Sequence, residues 1–158
     1  MNYEKLESEV LARLQPLVAA GFIVELLPEV ERDNARPPAG KARVTVAYKS
    51  SDFGEHKTMN EVAQEETASL EIMYECQKLR GVGGLYSLRN AAFALLFGYQ
   101  PSDWSKLAAK NFTLVDRIDG FWLYSETFTC TGIAVETIAD STDPLTTMIT
   151  VDNTTVSN

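Results

Sequence analysis

Apolar and polar positions alternate along this chain with two distinct periods. Leu6, Val10 and Leu14, joined by Leu17 and Val18, recur at helical spacing, while Glu4, Lys5, Glu7, Glu9 and Arg13 fall mostly off that stripe. The spacing predicts a helix over 2–20, with Pro16 kinking it or marking its last turn and Gly21 stopping it. The β-branched run 22–27 reads as a strand, 28–41 as a loop rich in Pro and charge, and 42–48 as a second strand. Residues 49–66 are polar, with seven charged side chains, and read as a long loop. A third strand spans 67–78, where Ala68, Leu70, Ile72, Tyr74 and Cys76 share one face. Thr67, Ser69, Glu71, Glu75 and Gln77 share the other, which is solvated or covered by a partner; Met73 is the exception.

A second main helix covers 85–97, apolar all round in its later half and ended by Gly98 and Pro101. Ser102 is placed to cap a short third helix through Ala109. The runs 112–118 and 121–131 flank Asp119-Gly120, a strong hairpin signal. The order is α-β-β-β-α-β-β. It predicts an α+β domain with a mainly antiparallel sheet and two main helices packed on one face.

Composition narrows the class. A chain of 158 residues, 45% hydrophobic and 23% charged, is an ordinary globular domain. Its net charge of -8 disfavours nucleic acid and anionic membranes as primary partners. Apolar runs such as 91–98 fall short of the roughly 20 residues that span a bilayer. The acidic N-terminus lacks the layout of a signal peptide, and Cys76 and Cys130 stand in no CxxC spacing, so a reducing, cytosolic compartment is expected.

The charge is uneven. Residues 1–66 carry twelve acids and eight bases, residues 67–135 carry six of each, and 136–158 carry Glu136, Asp140, Asp143 and Asp152 with no base. Half the net charge thus sits in a Thr-rich terminal segment. The expected organisation is a domain over 1–135 and an acidic arm over 136–158 that is ordered only when something holds it.

Little in the residue types points to catalysis. His56 is the sole histidine, which excludes two-His metal sites, and Cys76 reads as a small core hydrophobe. Ser51, Asp52 and His56 lie close in sequence, but a triad needs a rigid scaffold that a polar loop does not provide. Gly81, Gly83 and Gly84 precede a helix without phosphate-loop spacing, so a reversing turn is the better reading. Glu71 and Glu75 share a strand face and could in principle form a carboxylate pair, but a solvated face is the better reading. Neither catalytic residues, nor cofactor, nor metal ligands are assigned. The exposed strand face, long loop and acidic arm suit protein partners.

In this order of elements the sequence resembles the tail terminator (tail completion) family of Mu-like contractile-tailed phages. The likeness is carried by the strand ending at Leu27-Pro28, the Leu79-Arg80-Gly81 and Gly84-Leu85-Tyr86 turns, and the helix end Leu95-Leu96-Phe97-Gly98-Tyr99-Gln100-Pro101. Asp119-Gly120-Phe121-Trp122-Leu123-Tyr124 before Phe128 completes it. It covers roughly 1–135, and the arm has no counterpart in it.

The resemblance implies a structural protein assembled as a hexameric ring that caps the tail tube, anchors the sheath end, stops polymerisation and meets the head-side neck proteins. DNA then passes through the lumen without sequence readout, and no membrane is involved. The expected location is the head-proximal end of the tail, after assembly in the host cytoplasm. Phe53, His56 and Met59 are the expected tube- or sheath-docking residues, as isolated apolar and polar groups in the long loop. Glu71, Glu75, Arg80, Trp104, Leu145, Ile149 and Val151 are the expected inter-subunit or neck contacts. A neck or head-completion connector is the alternative in the same class. A small hydrolase or ligand-binding domain using His56 or the 81–84 turn is the alternative in another.

Overall fold

A computed structural model describes residues 2–28, 36–55 and 63–135. Helix α1 (Tyr3–Arg13) opens at Asn2, whose side chain accepts the Lys5 amide at 2.9 Å and caps the first turn. Leu14 interrupts the predicted single helix. Pro16 cannot donate back into the preceding turn but is tolerated at a helix start, so a second segment, α2 (Gln15–Ala19), begins there. Gly21, at φ +92°, closes it in the left-handed region.

Five strands follow: β1 (Ile23–Leu26), β2 (Arg43–Phe53), β3 (Ala63–Cys76), β4 (Ala108–Ile118) and β5 (Phe121–Val135). Helix α3 (Leu85–Leu96) lies between β3 and β4 in sequence. They form one mixed sheet ordered β1-β2-β3-β5-β4. The β1–β2 pair is parallel, and the β2–β3, β3–β5 and β5–β4 pairs are antiparallel. The α+β reading holds, with a parallel edge pair that short-range patterning does not reveal.

Side-chain alternation sets the core. On β3 the residues Ala68, Leu70, Ile72, Tyr74 and Cys76 face the helices and are buried, opposite Val44 and Val46 of β2 and Phe128 and Cys130 of β5. Leu6 and Val10 of α1, Leu14 at the α1–α2 break, and Leu85, Leu88, Ala92 and Leu96 of α3 close this layer from one side. The Asp119-Gly120 turn takes φ values of +52° and +81°, the primed geometry that matches strand twist, and Ile118 pairs with Phe121 across it.

Two expectations are corrected. The polar stretch 49–66 is not a loop throughout: Ser50, Ser51, Asp52 and Phe53 pair with Ser69, Ala68, Thr67 and Glu66 after a bulge at the Tyr48/Ser50 step. Cross-strand hydrogen bonds extend the ladder through residues whose composition reads as loop. The helix from Ser102 also does not form. Residues 101–104 make a turn with Asp103 at φ +66°, and β4 begins at Ala108. The backbone there is already committed, with Ser105 N–H to Thr131 O at 2.7 Å and Leu107 N–H to Tyr99 O at 2.7 Å.

Candidate functional site

The acidic side chains of the sheet sort into three networks. Glu126, on the helix-facing side of β5, is fully buried and accepts hydrogen bonds from the Tyr74 hydroxyl at 2.8 Å and from Arg89 Nε of α3 at 3.0 Å. The Arg89 guanidinium also lies over the Phe93 and Phe112 rings, at 4.3 and 5.0 Å from their centroids. Burial, reinforced by the Glu126 charge, pushes the Tyr74 hydroxyl well above its ordinary pKa, so it stays a donor. This network ties α3, β5 and β4 together.

Glu66 is the second buried acid, bonded by Tyr3 Oη at 2.7 Å and by the Ser51 hydroxyl. The bond to Glu66 raises the Tyr3 pKa to about 12. Burial, with Glu66 nearby, raises the Cys130 thiol to about 12, which removes thiolate character from a buried cysteine.

The third network lies on the other sheet face. Glu75 is held by Arg36 at 2.7 Å and by Arg43 at 2.6 Å, and Arg43 also meets Glu25 at 3.1 Å. Glu71 accepts from Ser125 Oγ at 2.6 Å and from Lys49 Nζ at 3.2 Å. The Ser125 bond, helped by Lys49, holds Glu71 below the ordinary carboxylate range. Glu71 and Glu75 therefore do not act as a shared-proton pair. They sit four residues apart on one strand face, about 13 Å along the strand, each with its own cation. That face is also not simply solvated: Glu75, Thr45, Ser69, Ser125 and Thr127 are buried among short neighbours.

The Ser51-Asp52-His56 combination is not assembled among the described residues. Ser51 and Asp52 are adjacent on a strand and point to opposite faces, and the Ser51 hydroxyl is spent on Glu66. His56 and Met59 lie outside the described residues, as do Leu145, Ile149 and Val151. The Arg80–Gly84 segment is a turn whose geometry leaves no phosphate cradle. The amides of Leu85 and Tyr86, at the α3 N-terminus, donate to the Lys78 and Leu79 carbonyls at 2.8 and 3.1 Å. A Cβ on Gly84 would come within 2.7 Å of the Arg80 carbonyl oxygen, so the turn requires glycine there.

A cleft of about 240 Å³ borders that turn. It falls below the usual size of small-molecule sites. Its polar groups are engaged locally, with Lys78 Nζ on the Val82 carbonyl at 3.2 Å and Gln77 Oε1 accepting the Gly40 amide at 3.2 Å. Among the described residues no group of three or more His, Cys, Asp or Glu side chains is placed to hold a metal ion. Likewise no described helix is long and apolar enough to cross a membrane.

What stays open is surface. Phe53, at the far end of β2, is 55% exposed, and Arg80 is exposed on its turn. Trp104, in contrast, is packed into the core at 4% exposure, where it anchors the 101–107 segment. The feature the sequence did not mark is the exposure of β4. Every residue of that strand except Phe112 is exposed, including Leu114, Val115 and Ile118, and among the described residues β4 is paired on one side only.

These networks close within the chain, and among the described residues the outer side of β4 meets no other strand. The same fold occurs in a chain of the virion of a native gene transfer agent (GTA) particle. That chain is 12% identical, the TM-score is 0.51, and the match covers 84% of this chain and 97% of the other. No curated protein matches the sequence. The profile of the Gp37 protein family matches residues 10–153, and the chain belongs to that family. The match extends through most of the acidic arm, for which the tail-terminator likeness offers no counterpart.

Proposed function

We propose that this chain is a non-enzymatic structural subunit of a phage or phage-like virion, and specifically a tail terminator. As a hexameric ring it caps the tail tube, anchors the sheath end and presents the head-side surface for the neck proteins. DNA crosses its lumen without sequence readout, which suits an acidic subunit. One observation carries the reading: the fold accounts for nearly the whole of a chain found in a virion, so the likeness is that of a complete subunit and not of a shared fragment. Family membership supports it. The protein needs no cofactor in this role.

The tip of the β2–β3 hairpin, with Phe53 at its described end and His56 and Met59 beyond, is the tube- or sheath-docking element in this proposal. Glu71 and Arg80 are offered to neighbouring subunits or neck proteins. Glu75 acts there through Arg36 and Arg43, and Trp104 through the segment it anchors.

Electron microscopy of particles from a host carrying a deletion of this gene tests the reading. Overlong or headless tails, restored by the intact gene, are expected, with a tagged subunit labelling the head-proximal tail end. Label at the head with tails of normal length would place the chain among the neck connectors instead. Normal infectious particles would remove it from tail assembly altogether.

A further inference from the structure

We infer that the open edge of β4 receives residues 145–151 from the acidic arm of a second copy of this chain, added as a short strand. The inference rests on the ring proposed above and names the contact that joins its subunits. Three observations converge on it.

The edge has a defined chemistry. Lys106, Lys110 and Arg117 are exposed along it, with Asp116 the one acid among them. Leu114 and Val115 are 48% and 54% exposed. Two bulges, at the Ala109/Asn111 and Leu114/Asp116 steps, bracket the regular run Asn111–Leu114. Bulges and a lysine are devices that keep long strands from pairing at an edge, so only a short ladder fits here.

The arm supplies the complement. Segment 136–158 has four acids and no base, and its β-prone stretch Leu145-Thr146-Thr147-Met148-Ile149-Thr150-Val151 lies between Asp143 and Asp152. A short strand flanked by acids thus meets a short edge flanked by Lys110 and Arg117. Main-chain hydrogen bonds supply the affinity and the flanking charges fix the register. The family match runs to residue 153 and so takes in this stretch.

The direction in which β5 ends favours a second copy. Strand β5 ends at Val135, eight residues past Thr127, the partner of Asn111. Returning to its own β4 edge requires about 26 Å back along the sheet and about 10 Å across two strand spacings. The direct separation is about 28 Å and the link from Val135 to Leu145 spans at most about 35 Å when fully extended, so a return needs a nearly straight link and a sharp reversal within about two residues. Continuing outward from β5, the same link reaches a neighbour without a turn.

Disulfide crosslinking between full-length copies tests this. One tagged copy carries Val115→Cys, and the other carries a single cysteine scanned from Leu145→Cys to Val151→Cys. The native Cys76 and Cys130 are buried and do not compete. Covalent heterodimers are expected at alternate arm positions, weakening as salt is raised. Lys110→Glu with Arg117→Glu should cut their yield at least tenfold while melting temperature and circular dichroism stay unchanged. Asp143→Lys with Asp152→Lys on the other copy should restore it.

Crosslinks confined to chains carrying both cysteines would assign the edge to the chain's own arm and overturn the inference. A yield indifferent to the charge reversal, or no crosslink at any position, would do the same. Crosslinks between copies alongside normal particles from the gene deletion would leave this contact standing and discard the tail reading. Abnormal tails without crosslinks would do the reverse.

Discussion

The two edges of the sheet are protected in opposite ways. Strand β1 has four residues, lies parallel to β2 and packs beside α1 and α2, so the subunit blunts that edge by itself. Strand β4 has eleven residues, and its outer side is met by no other strand among the described residues. Its protection is two bulges and a row of basic side chains. An edge covered by its own helices contributes to stability. One with its outer side unpaired contributes little to the monomer.

The sharpest way to break this contrast is at Arg89, which joins the β4 side to α3. Arg89→Ala strips the fully buried Glu126 of its cation and leaves only Tyr74 as a donor. A loss of about 3–5 kcal/mol in urea unfolding is expected, as for other buried pairs broken on one side. A loss below about 1 kcal/mol would mean that apolar packing alone holds β4 in place. On the covered edge, Leu14→Ala removes a fully buried side chain at the α1–α2 break. It should cost about 2–5 kcal/mol by the same measurement.

Alkaline pH probes the Tyr3–Glu66 joint between α1 and the β2–β3 ribbon. The folded-state pKa of Tyr3 is raised to about 12 from 10.0. The neutral hydroxyl therefore stabilises the fold fully below pH 10, and that contribution is lost as pH rises through 12. Melting temperature followed from pH 8 to 12 should fall less steeply in Tyr3→Phe. Identical slopes would show that the bond to Glu66 does not couple to folding. The smallest effect is expected at the open edge. Val115→Thr should shift stability by no more than about 0.5 kcal/mol, as at other exposed positions. A loss above 1.5 kcal/mol would show that β4 is already part of the core.

Much of this was legible in the chain. Leu6, Val10 and Leu14, the alternation from Ala68 to Cys76, and Asp119-Gly120 each carry a local signal, because helix period, strand period and primed turns depend on neighbouring residues alone. The candidate contacts were legible only in part. Phe53 is exposed, while Glu75 is covered by Arg36 and Arg43 on the outer sheet face and Trp104 packs into the core, since a side chain's surroundings come from strands and turns far away in sequence.

The sequence by itself marked the first and last helices, the central strand with its apolar face, and the Asp119-Gly120 hairpin. It also set the separation of an acidic terminal segment from a charge-balanced middle. Tertiary structure alone decided that β1 runs parallel to β2, that Glu66 and Glu126 are buried among hydroxyls and a guanidinium, and that β4 is left at an open edge. Periodicity records what each residue needs from its immediate neighbours. Strand order and the partners of a buried charge arise from pairings across 15 to 63 residues of chain, and nothing local encodes those.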